Sequence, residues 1–148
     1  GYDVSGSDIA ESAVISKFRD MGATVHIGHN KEYVNGVDAI VRSTAIREDN
    51  PEIVAAKEQG ITILHRSDIV KAVLDVTDGI AVAGAHGKTS TTSMIGQILV
   101  EANADPTVII GGEVDYLKGS SCLGKGHFSV VEADESDGSF LKLRPFSY

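Results

Sequence analysis

Ala83-Gly84-Ala85-His86-Gly87-Lys88-Thr89-Ser90-Thr91-Thr92 is the stretch of sequence that decides the fold. The short apolar run at residues 79–82 precedes it, and Ile95, Ile98, Leu99 and Ala102 follow it at helical spacing. We therefore predict a strand, a glycine-rich turn and a helix that begins near Lys88. This order is typical of a loop that binds phosphate. Glycines let the backbone approach an anion, and the amides of a helix N-terminus point toward it.

Two side chains of this loop have the chemistry of a nucleotide site. Lys88 is expected to place positive charge on the β and γ phosphates, and Thr89 to ligate Mg²⁺. The spacing departs from the usual pattern G-x-x-x-x-G-K-[ST], because counting back from Gly87 puts Val82 where the first glycine belongs. The alternative is a chance Gly-x-x-Gly-Lys-Thr in an ordinary loop. The predicted strand before it and helix after it favour the phosphate loop.

The part of the chain before residue 77 alternates short apolar runs with helical segments. Strands are predicted at residues 2–4, 23–27, 37–41 and 61–64. Helices are predicted at three places: over Val14, Phe18 and Met21 up to Gly22, from the Asn50 cap and Pro51 to Gly60, and after a Ser67-Asp68 cap. Such alternation predicts an α/β fold, a Rossmann-like parallel sheet with helices on both faces. The glycine-rich turn of that fold is absent, so the sheet is expected to be incomplete at its N-terminus.

Ligands of such sheets bind at the carboxyl ends of the strands, and an acid after the second strand meets a ribose. If residues 2–4 form that second strand, Asp8 lies at the ribose position. Asp8 is equally suited to cap the helix that follows. Ser43, Thr44 and His29 also follow predicted strands, although each alone is more typical of a turn residue than of a ligand contact.

A second group of polar residues follows a predicted buried strand at residues 128–131. Glu132, Asp134, Glu135 and Asp137 place four carboxylates within six residues, which is unfavourable unless positive charge lies among them. Mg²⁺ beside a phosphate loop would supply that charge, and Glu132 is the expected ligand because it comes first after the strand. The alternative is a solvated acidic turn. A strand is also predicted at residues 107–110 and a loop at residues 119–126, so the second half is expected to be the first part of a P-loop ATPase α/β domain.

Composition excludes several classes of protein. The 148 residues are 42% hydrophobic and 23% charged, which is ordinary for a soluble globular protein. The net charge of −8 argues against a nucleic-acid partner, and one cysteine cannot form an internal disulfide. No apolar run approaches the ~18 residues of a membrane span. We expect a cytoplasmic protein that does not insert into membranes.

Residues 83–92 resemble the ATP loop of the Mur ligase family, whose pattern is Gly-Thr/Ala-His-Gly-Lys-Thr. Similarity in order and spacing extends over essentially the whole chain, at Ser5-Gly6-Ser7-Asp8, Ser43-Thr44-Ala45-Ile46, Asn50-Pro51-Glu52, Val108-Ile109-Ile110-Gly111-Gly112 and residues 132–140. The likeness is strongest to the branch of the family that adds L-alanine to UDP-N-acetylmuramate. Arg42 is a departure, because the family's strand usually has an apolar residue there.

The resemblance implies an ATP-dependent ligase of peptidoglycan precursor synthesis in the bacterial cytoplasm. The family activates the lactoyl carboxylate of UDP-N-acetylmuramate as an acyl phosphate, which the amine of L-alanine attacks. The residues implied to bind ATP are Gly84, Ala85, His86, Gly87, Lys88, Thr89 and Ser90. The residues implied to be catalytic are Lys88, Thr89 and Glu132, of which Thr89 and Glu132 would hold Mg²⁺. Asp8, Ser43 and Thr44 are implied to face the UDP portion.

The resemblance also divides the chain into a partial UDP-sugar-binding domain at residues 1–76 and a partial central ATP-binding domain at residues 77–148. A chain with two partial domains is expected to have little ligase activity alone. Three alternatives remain open at this stage: the related murein tripeptide ligase, a folylpolyglutamate-type ligase, and a non-catalytic nucleotide-binding module. The tripeptide ligase tends to have Tyr where Ser136 stands.

Overall fold

The computed structural model describes residues 2–117 and 119–133. Contacts between Cα atoms divide the chain into two compact units, the first ending at His65 and the second beginning at Arg66. This boundary lies before the helix that leads to residue 76, whereas the sequence placed it after that helix. Within the described ranges, no helix is long and apolar enough to cross a membrane.

The first unit contains two pairs of parallel strands. β1 (Ser5–Asp8) pairs with β2 (Thr24–Ile27), and β3 (Ala39–Arg42) pairs with β4 (Thr62–His65). The helices α1 (Ala13–Asp20) and α2 (Pro51–Gln59) connect the strands of each pair, and a 3₁₀ helix occupies Lys31–Val34. The buried apolar residues of the unit are Ile15, Val34, Ile53, Ala55 and Ala56. The predicted parallel α/β architecture is thus confirmed.

The first strand begins later than predicted. It spans Ser5–Asp8 instead of residues 2–4, and Tyr2 is 98% exposed. The polar segment becomes a strand because its backbone pairs with β2, a tertiary contact that side-chain hydropathy does not reveal. The suggestion that Asp8 caps the next helix is wrong, since the Ser12 side chain accepts a hydrogen bond from the Ile15 amide at 3.3 Å.

The buried face of α1 also differs from the prediction. Val14, Phe18 and Met21 are 45%, 48% and 73% exposed, whereas Ile15 is 4% exposed. Helical spacing identifies residues that share a face, but the neighbouring elements decide which face packs. Here the unit buries the face that contains Ile15.

The start and end of α2 were predicted correctly. The Asn50 side chain accepts a hydrogen bond from the Glu52 amide at 2.9 Å, Pro51 is the first helical residue, and Gly60 ends the helix with φ of 70°. In contrast, α3 spans Arg66–Asp75, so Ser67 and Asp68 lie inside its first turn and the predicted cap at these two residues is wrong.

Arg42, the departure from the family pattern, is the last residue of β3 and stabilises the turn that follows. Its guanidinium donates to the Ile46 carbonyl at 3.2 Å and to the Glu48 carboxylate. Lys57 of α2 donates to the other oxygen of Glu48 at 2.5 Å. The turn after β3 is therefore tied both to its own strand and to the neighbouring helix.

The second unit is a four-stranded sheet with the order β5-β8-β6-β7. Its strands are β5 (Asp78–Val82), β6 (Thr107–Val114), β7 (Gly119–Cys122) and β8 (Phe128–Glu132). The strands β5, β8 and β6 are parallel, and β7 is antiparallel to β6. The expected loop at residues 119–126 is wrong in part because β7 occupies its first half. Its small polar residues form a strand at the sheet edge by pairing with β6.

The helix α4 (Lys88–Glu101) packs its least bulky positions against the sheet. Thr92 is 0% exposed and Gly96 is buried, whereas Ile98 is 66% exposed, so the apolar face predicted for this helix is only partly correct. A Cβ atom at Gly96 would lie 3.1 Å from a methyl group of Val108. The small residue lets the helix approach β6 closely, and the fully buried register partners Val108 and Val130 lie on this side of the sheet. Val131 lies on the opposite face of the sheet and packs with Leu74 of α3.

The close packing of the turn before β8 against the segment that follows α4 can be tested at Gly126. A Cβ atom at Gly126 would overlap the Ala104 carbonyl oxygen, which is backbone and cannot rotate away. We expect Gly126→Ala to lower the free energy of unfolding by about 1–3 kcal/mol, as overpacking does. Gly6→Ala is the matched control, since nothing lies within 4 Å of its added methyl. Urea unfolding of both variants measures the difference, and equal stabilities would contradict the packing described.

The turn after β3 gives a second test, which concerns a pKa. Hydrogen bonds from Lys57 and Arg42 hold the pKa of the exposed Glu48 carboxyl below its usual value. The stabilisation is therefore present above the ordinary pKa of a glutamate and is lost as pH falls through the lowered one. Lys57→Met should raise the pKa of Glu48 toward the ordinary value in an NMR titration. Arg47→Met, which removes a partner of Asp49 instead, should leave the Glu48 titration unchanged.

Candidate functional site

The glycine-rich turn joins β5 to α4 as the sequence predicted. β5 ends at Val82 and α4 begins at Lys88. Gly84 has φ of 145° and Gly87 has φ of 78°, values that side chains other than glycine rarely adopt. Gly87 immediately precedes the helix, and its carbonyl accepts the Thr91 amide at 2.9 Å. Because Gly87 has no side chain to cap the helix, the first amides of α4 are accessible to an anion.

Lys88 is the first residue of α4, and its side chain folds back over the turn. Its ammonium donates to the Gly84 carbonyl at 2.6 Å. Among the residues that the structure describes, Lys88 forms no ion pair. The positive charge is therefore held at the turn by a neutral acceptor and is available to an anionic ligand.

Thr89 and Glu132 meet at the carboxyl ends of β5 and β8. The Thr89 hydroxyl lies 3.1 Å from both carboxylate oxygens of Glu132. Val82 and Glu132 are register partners in the parallel pair β5–β8, so the turn and the acid leave the sheet at the same point. The two residues are 43 positions apart in sequence, and strand pairing alone brings them together.

These groups fit a magnesium–nucleotide ligand. A hydroxyl oxygen and a carboxylate oxygen are hard donors of the kind Mg²⁺ prefers, and the ion usually takes one or two carboxylates together with phosphate oxygens and water. No cluster of three or more His, Cys, Asp or Glu that could hold a metal occurs within residues 2–117 and 119–133. Thr89 and Glu132 therefore fit a Mg²⁺ site in which phosphate oxygens provide further ligands, and not a site built from protein ligands alone.

Gly111 is a site residue that the sequence reasoning did not assign. Its amide donates to Glu132 Oε2 at 2.7 Å, and an added Cβ atom would lie 3.1 Å from the same oxygen. Glu132 is thus held from two sides, by the Thr89 hydroxyl and by a backbone amide of β6. The available signal was the Gly111-Gly112 pair after an apolar run, which indicates close approach to the backbone.

The remaining loop residues lie at the surface of the unit. Ala85 and His86 are exposed in the turn, and Ser90 is exposed in the first turn of α4. The other acids of the predicted acidic stretch, Asp134, Glu135 and Asp137, lie outside the described residues.

In the first unit, Asp8 is the last residue of β1. Its side chain accepts from the Ala10 amide at 3.3 Å, and its carbonyl accepts from the Gly28 amide at 2.7 Å. Ser43 and Thr44 form the turn after β3, where the Ile46 amide donates to the Ser43 carbonyl at 3.2 Å. Asp8 and the Ser43–Thr44 turn belong to different strand pairs, and no hydrogen bond joins them in the described part of the chain. Asp8 lies at the carboxyl end of a parallel strand and Ser43 and Thr44 directly follow one, as expected of ligand positions.

Glu52 is a further residue that the sequence reasoning did not assign as a site residue. One of its oxygens accepts from the Ser7 hydroxyl at 2.7 Å and lies 3.1 Å from Nδ1 of His29. His29 follows β2, so this contact joins the ends of β1 and β2 to the first turn of α2.

Comparisons with known proteins identify the family of this chain. Residues 1–76 match the family model described as Mur ligase family, catalytic domain. The chain is 50% identical over 146 residues to a UDP-N-acetylmuramate–L-alanine ligase of Desulfotalea psychrophila, covering 98% of this chain and 32% of that protein. It is 49% identical to the enzyme of that name from Nitrosospira multiformis, covering 98% of this chain and 29% of that protein. The chain thus spans about a third of the length of the curated relatives it matches.

Solved structures give the same result. The crystal structure of UDP-N-acetylmuramate-alanine ligase from Thermotoga maritima matches 96% of this chain and 34% of its own, with 32% identity and a TM-score of 0.88. A murein peptide ligase from Psychrobacter arcticus matches 97% of this chain and 36% of its own, with 26% identity and a TM-score of 0.85. On the family match, the relatives and the fold together, this chain belongs to the Mur ligase family.

Proposed function

We propose that the complete protein containing this chain is an ATP-dependent ligase that joins L-alanine to the lactoyl carboxylate of UDP-N-acetylmuramate. The contact between Thr89 and Glu132, beside Lys88 and the N-terminus of α4, is the observation that carries the proposal. The relatives at 49–50% identity support this substrate pair over that of the murein peptide ligase, whose structure is 26% identical. ATP and Mg²⁺ are the proposed cofactors, and the bacterial cytoplasm is the proposed location.

The proposed reaction transfers the γ-phosphoryl group of ATP to the carboxylate, and the amine of L-alanine then displaces phosphate. Such a transfer is accelerated mainly by alignment of the reactants and by stabilisation of charge on the phosphoryl group. Mg²⁺, when bound, would neutralise part of the charge on the phosphate oxygens. Because the Lys88 ammonium donates to a neutral carbonyl in this structure, a phosphate oxygen can replace that acceptor at a favourable electrostatic gain.

The other loop residues have distinct tasks in the proposal. Thr89 and Glu132 would supply oxygen ligands to the metal, and the Gly111 amide would keep the carboxylate in place. The backbone from Gly84 to Ser90 would wrap the phosphates, with His86 orienting the loop or a phosphate oxygen. Asp8, Ser43 and Thr44 would contact the UDP portion in the first unit. The division into a UDP-sugar domain and an ATP domain belongs to the same proposal.

Removal of the Lys88 charge tests whether the site transfers phosphate. In the full-length protein, Lys88→Ala should lower the rate of phosphate release that depends on L-alanine and UDP-N-acetylmuramate by roughly 10²- to 10³-fold, the usual effect of losing a group that stabilises transition-state charge. Lys125→Ala, which removes an exposed charge of the same unit, should leave the rate unchanged. A non-catalytic nucleotide-binding module would lose ATP affinity without any rate to lose, and that result would refute the proposal.

Gly111 and Gly112 form a matched pair for testing how the metal ligand is held. Gly111→Ala crowds the Glu132 carboxylate, whereas the Cβ atom of Gly112→Ala would lie 3.6 Å from Thr89 Cγ2, an ordinary contact. We expect Gly111→Ala to raise the Mg²⁺ concentration needed for half-maximal activity by roughly 10- to 100-fold, because the added methyl displaces the carboxylate from the Gly111 amide and disturbing the support of a metal ligand typically has an effect of this size. Gly112→Ala should have little effect. Equal magnesium dependence of the two variants would contradict the role of Glu132.

A further inference from the structure

Ser7, His29 and Glu52 form a partly buried polar cluster, hereafter the Ser7–His29–Glu52 cluster, in the first unit. The Ser7 hydroxyl donates to Glu52 Oε1 at 2.7 Å, and Nδ1 of His29 lies 3.0 Å from Ser7 Oγ and 3.1 Å from Glu52 Oε1. The side chains of His29 and Glu52 are 21% and 16% exposed. The three residues are far apart in sequence, and the phosphate loop uses none of them.

The cluster contains the residue types of a nucleophilic triad but not its geometry. In a triad the serine and the acid contact opposite nitrogens of the imidazole, so that the acid orients the ring and the other nitrogen takes the serine proton. Here the same nitrogen, Nδ1, faces both oxygens. Ser7 donates its hydrogen to the carboxylate and is therefore not activated for attack.

The hydrogen-bond pattern assigns the proton on His29. Ser7 has one hydroxyl hydrogen, and Glu52 accepts it. Nδ1 of His29 then faces two oxygen atoms, neither of which has another hydrogen to donate. A bare nitrogen lone pair directed at a carboxylate would be repelled, so the pattern requires a hydrogen on Nδ1, shared between Ser7 Oγ and Glu52 Oε1.

The proton assignment determines the character of the other ring nitrogen. When Nδ1 of a neutral imidazole has the hydrogen, Nε2 is an acceptor. Within residues 2–117 and 119–133, no group forms a hydrogen bond with Nε2 of His29. His29 follows Gly28, whose amide donates to the Asp8 carbonyl at 2.7 Å, so the imidazole lies beside the end of β1. This edge of a parallel sheet is where nucleotides bind.

We propose that Glu52 is a positioning residue of the nucleotide-sugar site. Its carboxylate holds His29 in the tautomer with hydrogen on Nδ1, and Nε2 accepts a hydrogen bond from the nucleoside, either from the imide N–H of the base or from a ribose hydroxyl. The inference rests on the proposed function, because it takes the first unit to bind UDP. It assigns Glu52 a role that acts through His29 and not through contact with the ligand.

The tautomer can be measured without any variant or ligand. Nitrogen-15 NMR of the full-length protein labelled at histidine distinguishes a ring nitrogen that has hydrogen from one that does not. We expect hydrogen on Nδ1 and none on Nε2 in the neutral ring, with the signal identified by its loss in His29→Asn. Hydrogen on Nε2 instead would overturn the proposal.

Two variants of His29 distinguish the contribution of Nδ1 from that of Nε2. Asn can place an amide hydrogen near the position of Nδ1 but has no acceptor at the position of Nε2. We therefore expect His29→Asn to keep the unfolding midpoint and to bind UDP roughly 3- to 10-fold more weakly, the effect of one hydrogen bond of about 0.5–1.5 kcal/mol. His29→Gln, which can place its amide oxygen near the position of Nε2, should recover part of the affinity. Unchanged UDP affinity in His29→Asn would overturn the proposal.

Modified nucleotides identify the donor. UDP methylated at the imide nitrogen and UDP lacking the 2′- or the 3′-hydroxyl each remove one donor. One of them should bind the unmodified protein more weakly than UDP does, yet bind His29→Asn as well as UDP does. If every modification has the same relative effect on both proteins, His29 does not contact the nucleoside and the proposal fails.

A double-mutant cycle tests the role of Glu52 itself. Glu52→Ala should weaken UDP binding in the natural background and have little further effect in the His29→Asn background, because Glu52 acts through the ring. Equal effects in both backgrounds would show a general structural role and overturn the proposal. Gln59→Ala is the control, since it removes a hydrogen bond to Asn35 at the other end of α2. Failure of the unmodified protein to bind UDP would overturn the proposed function as well, whereas UDP binding that His29→Asn leaves unchanged would overturn this inference alone.

Discussion

The pairing of β5 with β8 is the constraint on which the phosphate-loop site depends. The register sets Val82 opposite Glu132, and the Ala133 amide extends the ladder by donating to the Val82 carbonyl at 3.0 Å. A shift of one residue would turn the Glu132 side chain to the other face of the sheet and away from Thr89. Val130 and Val131 oppose such a shift, because they are fully buried on opposite faces of β8 and a shift would disturb the packing of both faces.

The charged groups of the site hydrogen-bond to neutral partners. The carboxylate of Glu132 accepts hydrogen bonds from a hydroxyl and a backbone amide, and Lys88 donates to a backbone carbonyl. Each charged group therefore has neutral partners, and Lys88 and Glu132 do not form an ion pair with each other in the described part of the chain. A magnesium–phosphate ligand can then exchange neutral partners for oppositely charged ones, which is a larger gain than breaking an existing ion pair would allow.

In the first unit, too, polar residues gather at the carboxyl ends of parallel strands, but they form a different set of contacts. Small and polar residues at the end of β1 and after β2 are joined by the Glu52 carboxylate, which comes from the first turn of α2. The arrangement leaves one nitrogen of His29 without a partner in the described part of the chain. In the second unit the Glu132 carboxylate is the proposed metal ligand, whereas Glu52 is already satisfied by its neighbours and is suited to orienting another group.

The sequence by itself determined the local structure that surrounds the site. Glycines at 84 and 87 followed by Lys88 predicted the turn and the start of α4, and Asn50-Pro51 predicted the start of α2, because caps and turns depend on residues adjacent in the chain. The family followed from motif order. Periodicity could not decide which face of α1 packs, nor predict β7 or the strand at Ser5–Asp8, since these depend on partners distant in sequence. Tertiary structure alone decided that the Gly111 amide supports Glu132 and that Glu52 meets His29, because each contact joins residues more than twenty positions apart in sequence.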